Sequence, residues 1–153
     1  MQYDEQLPLF GRRKRRPGRG SREFNLHVMV ADVLERWATP GWQWTHLPFG
    51  EHRNAITGAR LKRMGTKRGW PDFILLPPLK IVPNMLAPER KIPLYPRPCF
   101  LELKRKGGKL TEEQSELMLW MIANCYEYEV CDNFNDAINV LRDWGAVRAS
   151  VRA

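Results

Sequence analysis

Two carboxylates and a lysine stand where a chain rarely tolerates charge. Asp72 opens the apolar run Pro71-Asp72-Phe73-Ile74-Leu75-Leu76, and Glu102 and Lys104 lie inside Cys99-Phe100-Leu101-Glu102-Leu103-Lys104. Both runs are short, continuous, rich in branched and aromatic residues, and bounded by Pro and Gly, the pattern of buried strands. Charged side chains are seldom fully buried unless they are paired or coordinate an ion. Residues two apart on a strand share a face, so Glu102 and Lys104 project together. This set suits a divalent-metal site with a basic helper. The competing reading is a structural ion pair between Lys104 and a carboxylate.

The elements that must position these residues follow from spacing and punctuation. Ser21 is placed to cap a helix running to about Trp37, closed by Thr39-Pro40-Gly41, with Leu26, Val30, Val33 and Trp37 on its apolar face. On that helix Glu23 lies one turn before Leu26 and is oriented inward, unlike Glu35, although a first-turn Glu is also favoured by the helix dipole alone. Residues 42–47 alternate as a strand, with Trp42, Trp44 and His46 on one side. Residues 50–70 are basic and Gly-punctuated, with a short helix over 59–64. Residues 77–98 hold seven of the twelve prolines and are expected to be an irregular insertion joining two antiparallel strands. Thr111-Glu112-Glu113-Gln114 has the form of a capping box opening a helix to about Asn124. A strand over 126–131 and an amphipathic helix over 134–144 complete the order. The fold class expected is α/β, a mixed sheet flanked by helices.

Composition narrows the field. A chain of 153 residues with 43% hydrophobic and 27% charged residues fits one globular domain. The three cysteines, Cys99, Cys125 and Cys131, predict neither a disulfide framework nor a zinc cluster, and favour a reducing compartment. Three histidines without a His-x-x-x-His spacing argue against a zinc site. No apolar run approaches the roughly 20 residues that span a bilayer. The net charge is +8, unevenly placed. Residues 11–22 hold seven basic side chains, and residues 52–70 hold six (Arg53, Arg60, Lys62, Arg63, Lys67 and Arg68) with no acid. Lys104, Arg105, Lys106 and Lys109 add a third cluster, whereas residues 111–153 carry eight acids against three bases. One surface should therefore face a polyanion and another face water, with no membrane partner and a cytoplasmic location expected. Residues 1–20 read as a disordered basic arm before a domain over 21–153, and a purely solubilising tail is the alternative.

The ordered set resembles the virus-type replication-repair nuclease (VRR-NUC) domain of the PD-(D/E)XK restriction-endonuclease-like superfamily. Members typically show a Gly-x-Pro-Asp step, here Gly69-Trp70-Pro71-Asp72, then a Glu-x-Lys strand, here Glu102-Leu103-Lys104. A Gly-x-Leu-Ser/Thr-x-x-Gln segment follows, here Gly108 to Gln114. The segments from His46 to Arg53 and from Arg60 to Gly65 are also similar, and the likeness covers about residues 21–131. The insertion between Asp72 and Glu102 departs from it. The resemblance implies an αβββαβ core and a Mg²⁺-dependent DNA endonuclease, with Mn²⁺ able to substitute, and a homodimer as one assembly.

Phosphodiester hydrolysis needs an activated water and neutralised phosphoryl oxygens, which a hard cation on carboxylate oxygens supplies. Asp72 and Glu102 would be the principal ligands, with the Leu103 carbonyl and Glu23 as further ones. Lys104 would orient or deprotonate the water, or stabilise the phosphoryl group. Gln114 would sit beside the site. Arg53, Arg60, Lys62, Arg63, Lys67, Arg68 and Lys106 would contact DNA. His46 and His52 are open between phosphate contacts and ordinary loop positions, and Trp70 between stacking on a nucleotide and packing. Trp37, Trp120 and Trp144 read as core. The rivals are a non-catalytic nucleic-acid-binding protein on the same fold, and a packaging protein that explains the arm but not the buried charges.

Overall fold

A computed structural model describes residues 19–48 and 55–150. Most of the basic arm, together with His52 and Arg53, lies outside the described residues. Helix α1 (Arg19–Trp37) leads into strand β1 (Gln43–His46), helix α2 (Ala55–Arg63) and strand β2 (Phe73–Leu76). A hairpin of β3 (Lys80–Asn84) and β4 (Ala87–Leu94) precedes β5 (Cys99–Leu103), α3 (Glu112–Ala123), β6 (Glu127–Cys131) and α4 (Phe134–Asp143). The architecture is mixed α/β, but α2 and the hairpin interrupt the simple αβββαβ order expected.

The main sheet has the order β1-β2-β5-β6. The first three strands are antiparallel, and β6 joins β5 in parallel. A parallel neighbour needs a crossover, and α3 supplies it. Every residue of β5 is buried, as befits a central strand covered on both faces. Strand alternation then sorts its side chains into two cores. Leu101 and Leu103 join Leu26, Val30 and Leu34 of α1, Phe73 and Leu75 of β2, and Ile138 and Leu141 of α4. Phe100 joins Met121 of α3 and Tyr128 of β6 on the other face. Glu102 belongs by alternation to the α3 face.

Several local expectations change. Helix α1 begins at Arg19, two residues before Ser21, and its buried line is Leu26, Val30 and Leu34, leaving Trp37 44% exposed. Periodicity names a face; the sheet decides how far round it the burial extends. Trp120 is likewise 57% exposed and stacks on Tyr126, while Trp144 packs on the core. Helix α2 is longer than expected and has no buried residue.

The insertion over 77–98 is ordered as the β3–β4 hairpin, a two-stranded sheet of its own. Proline is excluded from central strands because it lacks an N–H, but a two-stranded ribbon consists only of edges, so Pro83, Pro88 and Pro93 are accommodated. The register shifts at Pro83/Asn84. The insertion stays outside both cores, as its proline content suggested. Met85 and Leu86 at its tip are almost wholly exposed.

Gly69 locks α3 against the start of β2. Its φ is +82°, and a Cβ there would come within 2.7 Å of the Glu113 carbonyl carbon and oxygen. Both conformation and space therefore require glycine. Gly69→Ala should destabilise the protein by about 1–3 kcal/mol and displace the first turn of α3, as read by a urea midpoint shift at unchanged slope. Wild-type stability in this variant would show that the approach is not a constraint.

Candidate active site

Asp72 directly precedes β2, and the β2–β5 register pairs Phe73 with Leu101. One step further along these antiparallel strands, Asp72 stands opposite Glu102. Asp72 Oδ2 accepts a hydrogen bond from the Leu103 backbone N–H at 2.8 Å. Lys104 follows the last residue of β5 and extends the parallel ladder, its N–H donating to the Cys131 carbonyl at 2.8 Å.

Glu102 is 1% exposed. Its Oε1 meets Lys104 Nζ at 2.5 Å and accepts from Gln114 Nε2 at 2.6 Å. Lys104 Nζ also donates to Gln114 Oε1 at 2.9 Å. Gln114 is placed by the capping box. Thr111 caps α3, its hydroxyl accepts from the Gln114 N–H, and Gln114 Oε1 accepts from the Thr111 N–H at 3.0 Å. One side chain thus closes a helix terminus and ties a lysine to a buried glutamate.

The ion pair anticipated as an alternative is present, yet it accounts for only half of Glu102. Oε2 is buried and lacks a hydrogen-bond partner. Burial first, then the charge of Asp72, pushes the Glu102 carboxyl up to about 7 against the pull of Lys104 and Gln114. Burial likewise pushes Asp72 up to about 6, opposed by the Leu103 N–H and Lys104 and reinforced by Glu23. Two facing carboxylates that repel, one with an orphaned oxygen, are a donor set that a hard cation satisfies. A structural ion pair alone needs neither the second carboxylate nor the orphan.

This arrangement has a measurable consequence for stability. A carboxyl whose folded pKa exceeds its unfolded value contributes stability below the unfolded value, near 4, and loses it as pH rises through the folded one. The metal-free protein should therefore lose melting temperature between pH 5 and pH 8, and Glu102→Gln should flatten that slope. A slope identical in the variant would assign the loss to other groups.

Glu23 is half-buried in the first turns of α1, and its charge acts on both Asp72 and His27. His27, one helical turn beyond Glu23, was not singled out from the sequence. Its Nε2 lies 3.5 Å from Asp72 Oδ2, and its Nδ1 lies 3.2 Å from His46 Nε2. The Glu23-x-x-x-His27 spacing was the available signal. Burial lowers the His27 pKa, with Lys104 adding to this and Glu23 opposing it. His46 packs edge-on against Phe73 at 5.2 Å.

Tyr128 was also missed. Its hydroxyl is buried without a hydrogen-bond partner, and burial followed by the charges of Glu102 and Asp72 raises its pKa. Trp70 packs edge-on against Phe100 at 6.5 Å while remaining 37% exposed. Arg60, Lys62 and Arg63 on α2, Lys67 and Arg68 in the segment before Asp72, and Lys106 after Lys104 are all exposed. The basic positions thus flank both chain segments that carry the carboxylates.

A solved structure described as a VRR_NUC domain protein superposes with a TM-score of 0.56 over 80% of this chain and 86% of that chain, at 20% identity. The fold is that of a VRR_NUC domain. No family sequence model and no curated protein matches the chain. On this VRR_NUC fold, the Pro-Asp step, the Glu-x-Lys strand and the capping glutamine converge at one end of β2 and β5.

Proposed function

We propose that the protein is a metal-dependent DNA endonuclease that hydrolyses phosphodiester bonds in replication, repair or recombination, with structured DNA as substrate. The observation that carries this reading is Asp72 opposite the buried Glu102, with Glu102 held to Lys104 and Gln114. The description of the structural neighbour as a VRR_NUC domain protein agrees with it.

Asp72 and Glu102 would hold Mg²⁺, or Mn²⁺ in its place, with the Leu103 carbonyl and Glu23 as further oxygen donors. The bound ion would supply charge neutralisation at the phosphoryl oxygens and a lowered water pKa. An ammonium has three donors, and Glu102 and Gln114 occupy two acceptor directions around Lys104. The remaining donor direction lets Lys104 orient the attacking water or stabilise the phosphoryl oxygens. In-line attack with the 3′-oxygen leaving would yield 5′-phosphate and 3′-hydroxyl ends.

Arg60, Lys62, Arg63, Lys67, Arg68 and Lys106, with Arg53 beyond the described residues, would neutralise phosphates. Such contacts position a duplex without reading its sequence, so recognition by shape follows. Cutting both strands would be served by a homodimer. The site of action would be the nucleoid, or the nucleus in a eukaryotic cell. A non-catalytic DNA-binding protein on this fold is disfavoured, because binding alone gains nothing from a half-buried carboxylate set against a buried one that it repels.

A panel of junction, flap, splayed-arm and linear DNAs, with and without Mg²⁺, tests the proposal. Mg²⁺-dependent cutting that favours branched substrates is expected. Equal cutting of linear duplex would remove the shape preference, and binding without cleavage of any DNA would favour the non-catalytic reading.

A further inference from the structure

Beyond the Asp72–Glu102 pair, a second group of ligand-bearing side chains meets Asp72 from the α1 side. His27 of α1, His46 of β1 and Asp72 each offer one ligand atom, and the three atoms lie within 4.8 Å of one another. We infer that His27, His46 and Asp72 form a site for a divalent transition-metal ion such as Zn²⁺, sharing Asp72 with the carboxylate site.

Two imidazoles and one carboxylate select borderline ions over Mg²⁺, which prefers oxygen alone. Three protein ligands with an open position are the arrangement of zinc centres that keep a water. Ligand atoms about 2.0–2.2 Å from an ion stand about 3.4 Å apart when tetrahedral, so closure from 4.8 Å requires movements on the order of an ångström. His27 stands on α1 and His46 on β1, and Asp72 directly precedes β2, whose first residue, Phe73, pairs with His46. His27 Nε2 is buried and makes no hydrogen bond, although it points near Asp72 Oδ2. Without an ion, the same contacts form a relay in which His46 hydrogen-bonds His27 and His27 approaches Asp72. That relay is the alternative to be excluded.

The inference does not rest on nuclease activity, and its test reads metal ligation directly. Nitrogen-resolved NMR of the imidazoles in the tag-free 153-residue chain is recorded while Zn²⁺ is added. One equivalent should shift the ring nitrogens of both His27 and His46. His27→Asn and His46→Asn, each verified as folded by circular dichroism, should weaken Zn²⁺ binding by at least about a hundredfold, since loss of even a supporting partner costs 10–100-fold. Glu102→Gln should retain Zn²⁺ binding while losing Mg²⁺-dependent cleavage, which separates failure of this site from failure of the proposed activity. Unshifted His27 and His46 signals at saturating Zn²⁺, or undiminished affinity in both histidine variants, would overturn the inference in favour of the relay.

Discussion

Glu102→Gln should abolish Mg²⁺-dependent cleavage while leaving the fold and most DNA affinity in place. The amide matches the carboxylate in shape and can still meet Gln114, but it cannot neutralise a cation. Asp72→Asn should behave in the same way. Lys104→Ala should slow cleavage on the order of 10²–10³-fold, the usual effect of removing one preorganised donor at a developing charge. Single-turnover cleavage beside a binding isotherm for each variant checks the set. Wild-type cleavage by Glu102→Gln would remove the site from the chemistry, whatever its role in folding. DNA affinity lost in parallel with activity would instead show that the substitution disturbed the binding surface.

Deleting residues 1–20 should weaken DNA binding and flatten its salt dependence without stopping catalysis. The segment carries six cationic side chains, Arg12, Arg13, Lys14, Arg15, Arg16 and Arg19. Each phosphate contact contributes about −0.9 to the log–log salt slope on duplex DNA, so full engagement would lower its magnitude by about 5. Cleavage at saturating enzyme should persist, because Glu23, Asp72, Glu102, Lys104 and Gln114 all lie beyond the deletion. Affinity measured from low to moderate salt for both chains decides the point. An unchanged slope would assign the arm to solubility or to a protein contact.

The site was legible where its residues broke a local rule. Asp72 and Glu102 announced themselves as charges in apolar strands, and Lys104 by sharing Glu102's face. Gln114 announced itself through a helix start that the structure reproduces, with Thr111 as the cap. His27 was not legible in this way. A histidine in a helix violates nothing, and its meaning appears only when α1 docks beside β1 and brings His46 within 3.2 Å. Histidine spacing along the chain was therefore a poor guide to histidine spacing in the fold. Tyr128 was hidden for a related reason, since its hydroxyl becomes an orphan only when β6 pairs with β5 and α3 covers the face. The hairpin failed for a different cause. Seven prolines do exclude residues 77–98 from a central strand, but they do not exclude an isolated ribbon, whose strands are both edges.

On the proposed function, Asp72 and Glu102 serve a cation that drives phosphodiester hydrolysis. Single-turnover cleavage of an end-labelled branched DNA, followed across a Mg²⁺ titration from a chelated start, tests it most directly. The expected result is no cleavage in chelator, a rate that rises and saturates with Mg²⁺, and products bearing 5′-phosphates. Cleavage at the same rate in chelator and in saturating Mg²⁺ would show that Asp72 and Glu102 do not act through a cation.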